Sequence, residues 1–397
     1  MPRTDVPARP HERVRSLDIL RGLALLGMIL VHVHQHLEQP ATGLEDLISW
    51  FIWIGVEQKS WATFAFLFGV GFALQLGRME AKGAPVTSLY LRRLLALAVF
   101  GIFAYALFGF RILLDYAFWG VPLLLIRRWS TRSLLVAAVV SVSALSVIDI
   151  ASGSYEWATL GREGANAAAE ARGATPNPIR SALKAAEAQP SYPVLLAARL
   201  QAMRADYLSW SFLIPGANLA LFILGLLAYR KRLIDAPKRH LRSIVVIMAL
   251  GFLSWAASWL VLPHVPTGFV PLRIGNRLSQ GLGIVSDQWL AFTYIGGILL
   301  LLAYRPAWEQ RLEAFGWAGR MALTNYLLQI AVLDVLSSGY GVALRVRPAM
   351  VLVVSGLIFA AEVAFSRFWL ARYRMGPAEW LWRSLTYRKL QPMRRAT

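Results

Sequence analysis

The sequence contains no cysteine among its 397 residues, and only 16% of its residues carry a charged side chain. Without a thiol, the chain forms no disulfide, no thiolate metal site and no acyl-cysteine intermediate. A soluble protein of this length typically has about 25% charged residues. The low charge content, with a hydrophobic content of 57%, excludes an ordinary soluble protein and favours a membrane protein.

Repeated apolar segments of roughly twenty residues account for this composition, because about twenty helical residues cross a hydrocarbon core about 30 Å thick. Continuous apolar runs favour helices over barrel strands, which would alternate over about ten residues. We predict an all-α, polytopic bundle of about ten transmembrane helices in a single domain, residues 1–397. The predicted spans are 17–34, 58–77, 90–109, 113–127, 133–150, 209–229, 243–262, 286–304, 320–337 and 349–370.

Basic side chains predict the orientation of this bundle. The formal net charge is +19, and Lys and Arg are concentrated before the first span and in alternate loops, whereas residues 34–56 contain neither. Cytoplasmic loops of membrane proteins carry an excess of Lys and Arg. We therefore predict that both termini are cytoplasmic. The same distribution makes nucleic-acid binding the weaker explanation of the charge, and we predict no nucleic-acid partner.

Two segments outside the predicted spans have distinct compositions. Residues 151–208 mix Ala, Glu and Arg, and predict an extracytoplasmic helical insert that either lies on the membrane surface or covers a site. Residues 371–397 combine aromatic and basic side chains, which are typical of a cytoplasmic interfacial segment. This C-terminal segment could also contact the nucleotide of a bound cofactor.

The first span, "LDILRGLALLGMILVH", keeps three side chains that are costly in a membrane. At about 100° per residue, Asp18, Arg21 and His32 share one helix face, and Arg21 lies roughly 16 Å from His32 along the axis. One interpretation is that this face lines a passage. The other is that Asp18 and Arg21 form an ion pair at the helix start while His32 lies at the interface.

Several motifs carry a resemblance to known families. "RSLDILRGLALLGMILVH" resembles the first helix of membrane acyltransferases that move acyl groups from cytoplasmic acyl-CoA to extracytoplasmic acceptors, and it keeps an arginine, ten intervening residues and a histidine. "SWATFAFLFGVGFALQLG", "GRMALTNYLLQ" and "GPAEWLWRSLTYRKLQP" resemble the bacterial YeiB-like family, which is related to heparan-glucosaminide acetyltransferases. These motifs lie at both ends of the chain. The resemblance implies a multi-pass acyltransferase of the bacterial inner (plasma) membrane.

The resemblance also implies roles for individual residues. His32 would be the catalytic base, and Arg21 would position the acyl-CoA donor, acetyl-CoA in the first instance, with Asp18 holding the guanidinium. We assign Arg92 and Arg93 to donor binding as well. A histidine suits proton removal near neutral pH, and a guanidinium suits phosphate or amide oxygens. Direct transfer and an acyl-histidine intermediate both stay open, and the acceptor would be a glycan, a glycolipid or a small amine.

Other polar side chains are predicted near the outer face. Glu57 and Asp115 are candidate carboxylates that would orient His32, a role that catalytic bases commonly need; Glu57 could instead anchor the interface. The stretch 262–283 is predicted to be an outer loop, in which His264, Arg273, Asn276 and Arg277 either bind an anionic or sugar acceptor or are solvated.

Late spans also contain polar groups. Asn325 and Gln329 lie one turn apart on one face and are predicted either to bind substrate or to link helices. Glu362 lies inside a span and is costly unless paired, and Arg367 is its predicted partner.

No residue cluster has the spacing of a metal site, because His32, His34 and His36 alternate and cannot converge on a helix. We predict no metal. The predicted partners are the lipid bilayer, acyl-CoA and an extracytoplasmic acceptor, and a homodimer stays open. The alternative function is a transporter or exporter that uses the polar face as its substrate path.

Overall fold

The computed structural model describes residues 14–39, 43–81, 83, 85–261, 264 and 270–395. These residues are 84% helical and form no β-strand, which confirms the all-α prediction. A π-helical segment, Trp53–Glu57, joins α2 to α3. The helices are α1 Arg15–Leu37, α2 Leu44–Ile52, α3 Gln58–Ala81, α4 Val86–Phe108, α5 Ile112–Ile126, α6 Thr131–Ala174, α7 Pro178–Glu187, α8 Tyr192–Leu208, α9 Ala217–Arg230, α10 Leu241–Leu260, α11 Leu272–Tyr304, α12 Ala307–Arg311, α13 Glu313–Arg320, α14 Ala322–Ser337, α15 Pro348–Arg372 and α16 Pro377–Tyr387.

The chain is a multi-pass membrane protein. Eight helical segments within the described residues are long and apolar enough to cross a membrane, and two shorter apolar helices, α5 and α14, accompany them. Large apolar side chains on the outer helices are exposed, among them Leu95, Val136 and Leu253. Such a surface is compatible with lipid and not with water. The predicted count of about ten spans and the predicted orientation stay predictions.

Helix α1 lies at the centre of the bundle. In the most apolar stretch of α1, 56% of the residues are buried inside the bundle, whereas in that of α10 the share is 11%. Glycines permit this close packing: a Cβ on Gly22 would lie 2.0 Å from the carbonyl oxygen of Phe315 on α13, and one on Gly69 would lie 2.2 Å from that of Phe222 on α9. Small residues allow helix backbones to approach in this way within a membrane.

The two ends of α1 define the two ends of the bundle, here named the Asp18 end and the His32 end. Helix α3 runs antiparallel to α1, since Gly71 is close to Arg21 while Ser60 is close to Gly27. Helix α13 packs at the Asp18 end, where a Cβ on Gly319 would meet the backbone of Asp18.

Helix α11 begins earlier than predicted. It starts at Leu272, so the predicted loop is wrong from that residue onward; part of that loop, 262–263 and 265–269, lies outside the described residues. Arg273 donates to Glu156 (2.6 Å) and Arg277 pairs with Asp149, both on α6. These ion pairs replace the solvation that the loop prediction assumed.

Residues 151–208 form the end of α6 followed by α7 and α8. Gly161 interrupts α6 with a φ of 68°, a left-handed conformation that glycine adopts at little cost. The helix pieces on either side are joined by an ion pair between Arg172 and Glu156 (2.8 Å). Helices α7 and α8 contact the His32 end through Glu187 and Arg199.

The C-terminal segment is attached to the Asp18 end. The indole Nε1 of Trp382 on α16 donates to the carbonyl oxygen of Arg93 on α4 (2.9 Å). The carboxylate of Glu379 accepts from the backbone N–H of Leu323 (2.7 Å) and from the hydroxyl of Thr324 (2.6 Å), at the start of α14. Burial raises the pKa of Glu379, and the hydrogen bonds from Thr324 and Leu323 oppose this shift.

Candidate functional site

A cavity of about 300 Å³ lies at the His32 end. Its walls come from the last turns of α1, the connection between α4 and α5, the insert helices α7 and α8, and the end of α14 with the chain that follows it. The polar side chains that line it include His32, His36, Arg199, Tyr326 and Asp334. The cavity therefore gathers groups from both ends of the sequence and from the insert.

His32 lies in the cavity wall, covered by an aromatic ring. The centroid of its imidazole is 4.8 Å from that of Phe110 and 6.4 Å from that of His36, one helical turn away. His34 points elsewhere on α1 and its Nδ1 contacts Glu38 (2.6 Å). The Nδ1 of His32 is buried and has no hydrogen-bond partner among the described residues. An unpartnered imidazole nitrogen is available for proton transfer to or from a ligand.

A buried ion pair joins the insert to the bundle at this cavity. Arg199 and Asp334 are 3% and 2% exposed, and the guanidinium contacts both carboxylate oxygens (3.2 Å for Nη1 to Oδ2). Ser338 and Tyr340 also donate to Asp334, at 3.0 Å and 2.7 Å. A buried ion pair is tolerated only when further hydrogen bonds compensate for the lost hydration. This set fixes α8 against α14.

Sequence reasoning missed both residues of this pair. Asp334 lies within the predicted span 320–337, and an ionisable residue inside a membrane span is a recognised sign of a functional or paired group. Arg199 carried no such signal, because an arginine in an amphipathic insert is usually solvated.

The predicted carboxylate Glu57 lies just behind the cavity wall. Its Oε1 accepts from the side-chain Nε2 of Gln35 (2.7 Å), and Gln35 lines the cavity. No hydrogen bond joins Glu57 to His32 in this structure.

The second predicted carboxylate, Asp115, holds another cavity residue. It accepts from Arg111 Nε (3.0 Å) and from the hydroxyl of Tyr207 on α8 (2.7 Å), and Arg111 lines the cavity. Burial and the adjacent Asp115 carboxylate raise the pKa of the Tyr207 hydroxyl, which therefore stays protonated and donates. Asp115 also makes no hydrogen bond to His32.

Arg21 and Asp18 lie at the opposite end of α1. Arg21 Nη1 donates to Asp18 Oδ1 (3.1 Å), and the absence of a side chain on Gly71 leaves room for the guanidinium. On a continuous helix, Arg21 is about 16 Å from His32. The predicted shared face exists, but its two ends lie at different ends of the bundle.

Other basic side chains lie near Arg21. The guanidinium carbon of Arg93 is 3.5 Å from the ring centroid of Trp382, and Arg93 is within electrostatic range of Arg21 and Arg383. The neighbouring Arg92 is half-buried on the same helix. Among the described residues, Arg93 forms no ion pair with a carboxylate, and its guanidinium stacks on the Trp382 ring.

Asn325 and Gln329 are fully buried and do not line the cavity. Asn325 Nδ2 donates to Ser366 Oγ (2.9 Å) and to the carbonyl oxygen of Ala318 (3.0 Å). Gln329 Nε2 donates to Glu362 Oε2 (2.9 Å) and to the carbonyl oxygen of Leu25 (3.3 Å). These contacts link α14 to α1 and α15.

Glu362 is therefore paired with Gln329, and the predicted ion pair with Arg367 is wrong. Five residues along a helix place two side chains about 140° apart, so Arg367 faces a different neighbour. Its guanidinium lies over the ring of Trp317, 5.0 Å from the centroid. Within the described part of the chain, no three His, Cys, Asp or Glu residues are grouped closely enough to hold a metal ion.

Two family descriptions match consecutive parts of the chain. "Heparan-alpha-glucosaminide N-acetyltransferase, catalytic" matches residues 13–161, and "Protein of unknown function (DUF418)" matches residues 228–389. The first range includes Arg21 and His32, and the second includes Tyr326 and Asp334. Arg199 lies between the two ranges.

Similar proteins come from bacteria. The chain is 29% identical to "Uncharacterized protein YxaH" of Bacillus subtilis, over 98% of each chain, and 25% identical to "Uncharacterized 39.9 kDa protein in amylase 3'region" of Bacillus acidopullulyticus, over 98% of this chain and 97% of the relative. It is 31% identical to "Uncharacterized protein YeiB" of Escherichia coli, over 32% of this chain and 38% of that protein. No solved structure matches the chain. With both family descriptions matching in order along the sequence, the chain belongs to the YeiB-like, DUF418-containing family of membrane proteins.

Proposed function

We propose that this protein is a transmembrane acyltransferase of the bacterial inner membrane. It would move a short acyl group, acetyl in the first instance, from cytoplasmic acyl-CoA to an acceptor on the outer side. The Asp18 end would then face the cytoplasm, together with both termini. The observation that carries this proposal is the position of His32, which lies in a polar cavity within the segment similar to an acetyltransferase catalytic region.

The acceptor would bind in the cavity at the His32 end. Arg199, Asp334 and Ser338 supply both hydrogen-bond donors and acceptors to its wall, which suits a polar acceptor such as a glycan, a glycolipid headgroup or an amine. His32 Nδ1 would take the proton from the attacking hydroxyl or amine. We favour direct transfer, because it needs this single base and no second activation of an acyl-imidazole.

The donor would be held at the Asp18 end. Arg21, with Asp18 as its partner, and Arg93 stacked on Trp382 are permanent cations near one another, and Arg92 adds a third positive charge on α4. Phosphate groups bind to guanidinium groups through paired hydrogen bonds. This cluster supports a binding site for the phosphates of CoA.

The acyl-pantetheine arm would extend along α1 toward the cavity. Gln329 is hydrogen-bonded to the carbonyl of Leu25, between Arg21 and His32, and its Oε1 has no partner among the described residues. That oxygen could accept from an amide N–H of the arm, with Asn325 one turn nearer the donor end. Glu57 and Asp115 would act by positioning Gln35 and Arg111 in the cavity wall.

The test uses purified protein in lipid nanodiscs. We expect it to bind acetyl-CoA, and to release free CoA when an acceptor is supplied. His32→Ala should keep donor binding and lose CoA release. His34→Ala is the matched control, because His34 lies on the same helix but contacts Glu38 outside the cavity lining. Equal activity of His32→Ala and the unaltered protein would refute the proposal.

Transport is the second candidate function, and one observation favours it. Lys59 is 1% exposed and donates to Asp287 (2.7 Å) between α3 and α11. Buried ion pairs within a bundle often mark solute or proton pathways. Accumulation of a solute in vesicles without any requirement for CoA, abolished by Lys59→Met, would favour transport over acyl transfer.

A further inference from the structure

Tyr326 has a hydroxyl group that the fold does not satisfy. The side chain is 1% exposed, it lines the same cavity as His32, and its hydroxyl oxygen is buried without a hydrogen-bond partner among the described residues. Asp334, eight residues later on α14, lies on the same helix face and also lines the cavity. The helix therefore presents Tyr326 to the cavity while its neighbour Asn325 faces α15.

An unpartnered hydroxyl in a membrane protein is unfavourable, because burial removes the water to which it would otherwise donate. A phenylalanine would fill the same space without this cost. Three residues that line this cavity carry such an atom: His32 at Nδ1, Arg199 at Nε and Tyr326 at its hydroxyl. The Arg199 guanidinium is nevertheless paired with Asp334 through its other nitrogens, whereas the hydroxyl of Tyr326 has no partner among the described residues. The simplest account of the unpartnered atoms on His32 and Tyr326 is that a bound ligand supplies their missing partners.

We propose that Tyr326 is a catalytic residue whose hydroxyl donates a hydrogen bond to the carbonyl oxygen of the acyl thioester. The proposal rests on the acyltransferase function proposed above. An imidazole supplies the base for such a reaction, but negative charge also develops on the carbonyl oxygen and needs a donor. Tyr326 is a neutral donor that is already desolvated and therefore requires little reorganisation.

The step balances as follows. The acceptor oxygen or nitrogen forms a bond to the thioester carbon while its proton moves to His32 Nδ1. The carbonyl oxygen becomes an oxyanion that accepts the hydrogen bond from Tyr326. Collapse of this intermediate re-forms the carbonyl and breaks the carbon–sulfur bond, and the thiolate takes the proton from the imidazolium. The products are the acylated acceptor and CoA with a free thiol.

Tyr116 provides a matched control. Its hydroxyl is also buried without a partner among the described residues, and its side chain is 1% exposed. However, Tyr116 packs against Phe68 and Phe222, at ring-centroid distances of 5.1 Å and 5.0 Å, and is not part of the cavity lining. Tyr116 lies within electrostatic range of Tyr326, so the two hydroxyls share one buried region of the bundle. Tyr116→Phe and Tyr326→Phe therefore remove the same atom from the same kind of environment, but only Tyr326 is a residue of the cavity lining.

The experiment measures the infrared carbonyl band of acetyl-CoA labelled with ¹³C at the thioester carbonyl, bound to the full chain in nanodiscs. A hydrogen bond lowers the carbonyl stretching frequency, so we expect a downshift with the unaltered protein and with Tyr116→Phe. Tyr326→Phe should still bind acetyl-CoA but should lose this downshift, and CoA release with an acceptor should fall about 10²- to 10³-fold, as for other lost oxyanion donors. Its Tm should be equal to or higher than that of the unaltered protein, because an unsatisfied hydroxyl has been removed.

The outcomes separate this inference from the proposed function. Binding of acetyl-CoA with the same downshift in Tyr326→Phe would overturn the role of Tyr326 and leave the acyltransferase proposal standing. A clear fall in the Tm of Tyr326→Phe, without a matching fall for Tyr116→Phe, would show that the hydroxyl has a partner within the protein and would also overturn the inference. Failure of the unaltered protein to bind acetyl-CoA would refute the acyltransferase proposal itself.

Discussion

The ion pair between Arg199 and Asp334 gives the strongest expectation about stability. Arg199→Leu leaves the Asp334 carboxylate buried without its cation. Breaking a buried pair by removing one partner typically costs about 3–5 kcal/mol. Ser338 and Tyr340 still donate to Asp334, and hydrogen bonds to a charged group contribute about 1.5–3 kcal/mol each. We therefore expect a loss near the lower limit, about 3 kcal/mol.

Arg180→Leu is the matched control for this variant. Arg180 also belongs to the insert and pairs with an aspartate, Asp206 (2.5 Å), but its side chain is 50% exposed, whereas that of Arg199 is 4% exposed. Exposed pairs contribute about 0–1 kcal/mol. The assay is thermal unfolding in nanodiscs, with the double variant Arg199→Leu/Asp334→Leu to measure the coupling between the two residues. A loss for Arg199→Leu below about 1 kcal/mol, or no larger than that for Arg180→Leu, would refute this account of how the insert is held.

Three further predictions concern the Asp18 end and the centre of the bundle. Arg93→Gln should raise the KM for acetyl-CoA in steady-state kinetics without changing that for acetyl-pantetheine, which lacks the nucleotide; an equal effect on both donors would contradict this. Burial raises the pKa of Glu379 above its unfolded value of about 4.3, so its contribution to stability is complete below that pH and is lost as pH rises through the folded-state pKa. Glu379→Gln should therefore flatten part of the fall in Tm above about pH 4.3, and an unchanged pH profile would contradict this. Gly22→Ala would place a Cβ 2.0 Å from the carbonyl oxygen of Phe315 and should destabilise the bundle by about 1–3 kcal/mol or more, whereas Gly356→Ala, with open space around it, should be neutral or slightly stabilising by thermal unfolding.

Local patterns predicted much of the fold. The apolar runs predicted an all-helical chain, and the 3.6-residue period placed His32 and Arg21 on one face of α1. Hydropathy did not predict helix ends correctly where a charged residue is paired with one far away in the sequence. The start of α11 was missed because Arg277 is neutralised by Asp149, 128 positions away, and no window along the sequence contains both residues.

The candidate site was predictable only in part, for the same reason. His32 could be singled out because it breaks an apolar run, but Arg199 and Asp334 are 135 positions apart and become a recognisable pair only after folding. Tyr326 gave no signal at all. A tyrosine in a membrane helix is ordinary, and its interest comes from the missing partner of its hydroxyl, which depends on packing.

The geometry of α1 constrains any mechanism that uses both Arg21 and His32. Helix α1 is unbroken from Arg15 to Leu37 and contains no proline, so the separation of about 16 Å between the two residues cannot shorten by bending. The substrate must therefore span that distance, with its anionic part at one end and its reacting carbonyl at the other. Contacts between the donor and the Arg21 end can then affect the reaction at His32 only because one donor molecule spans both places. For this reason a donor that lacks the nucleotide should still react at His32 once bound, but should need a much higher concentration to do so.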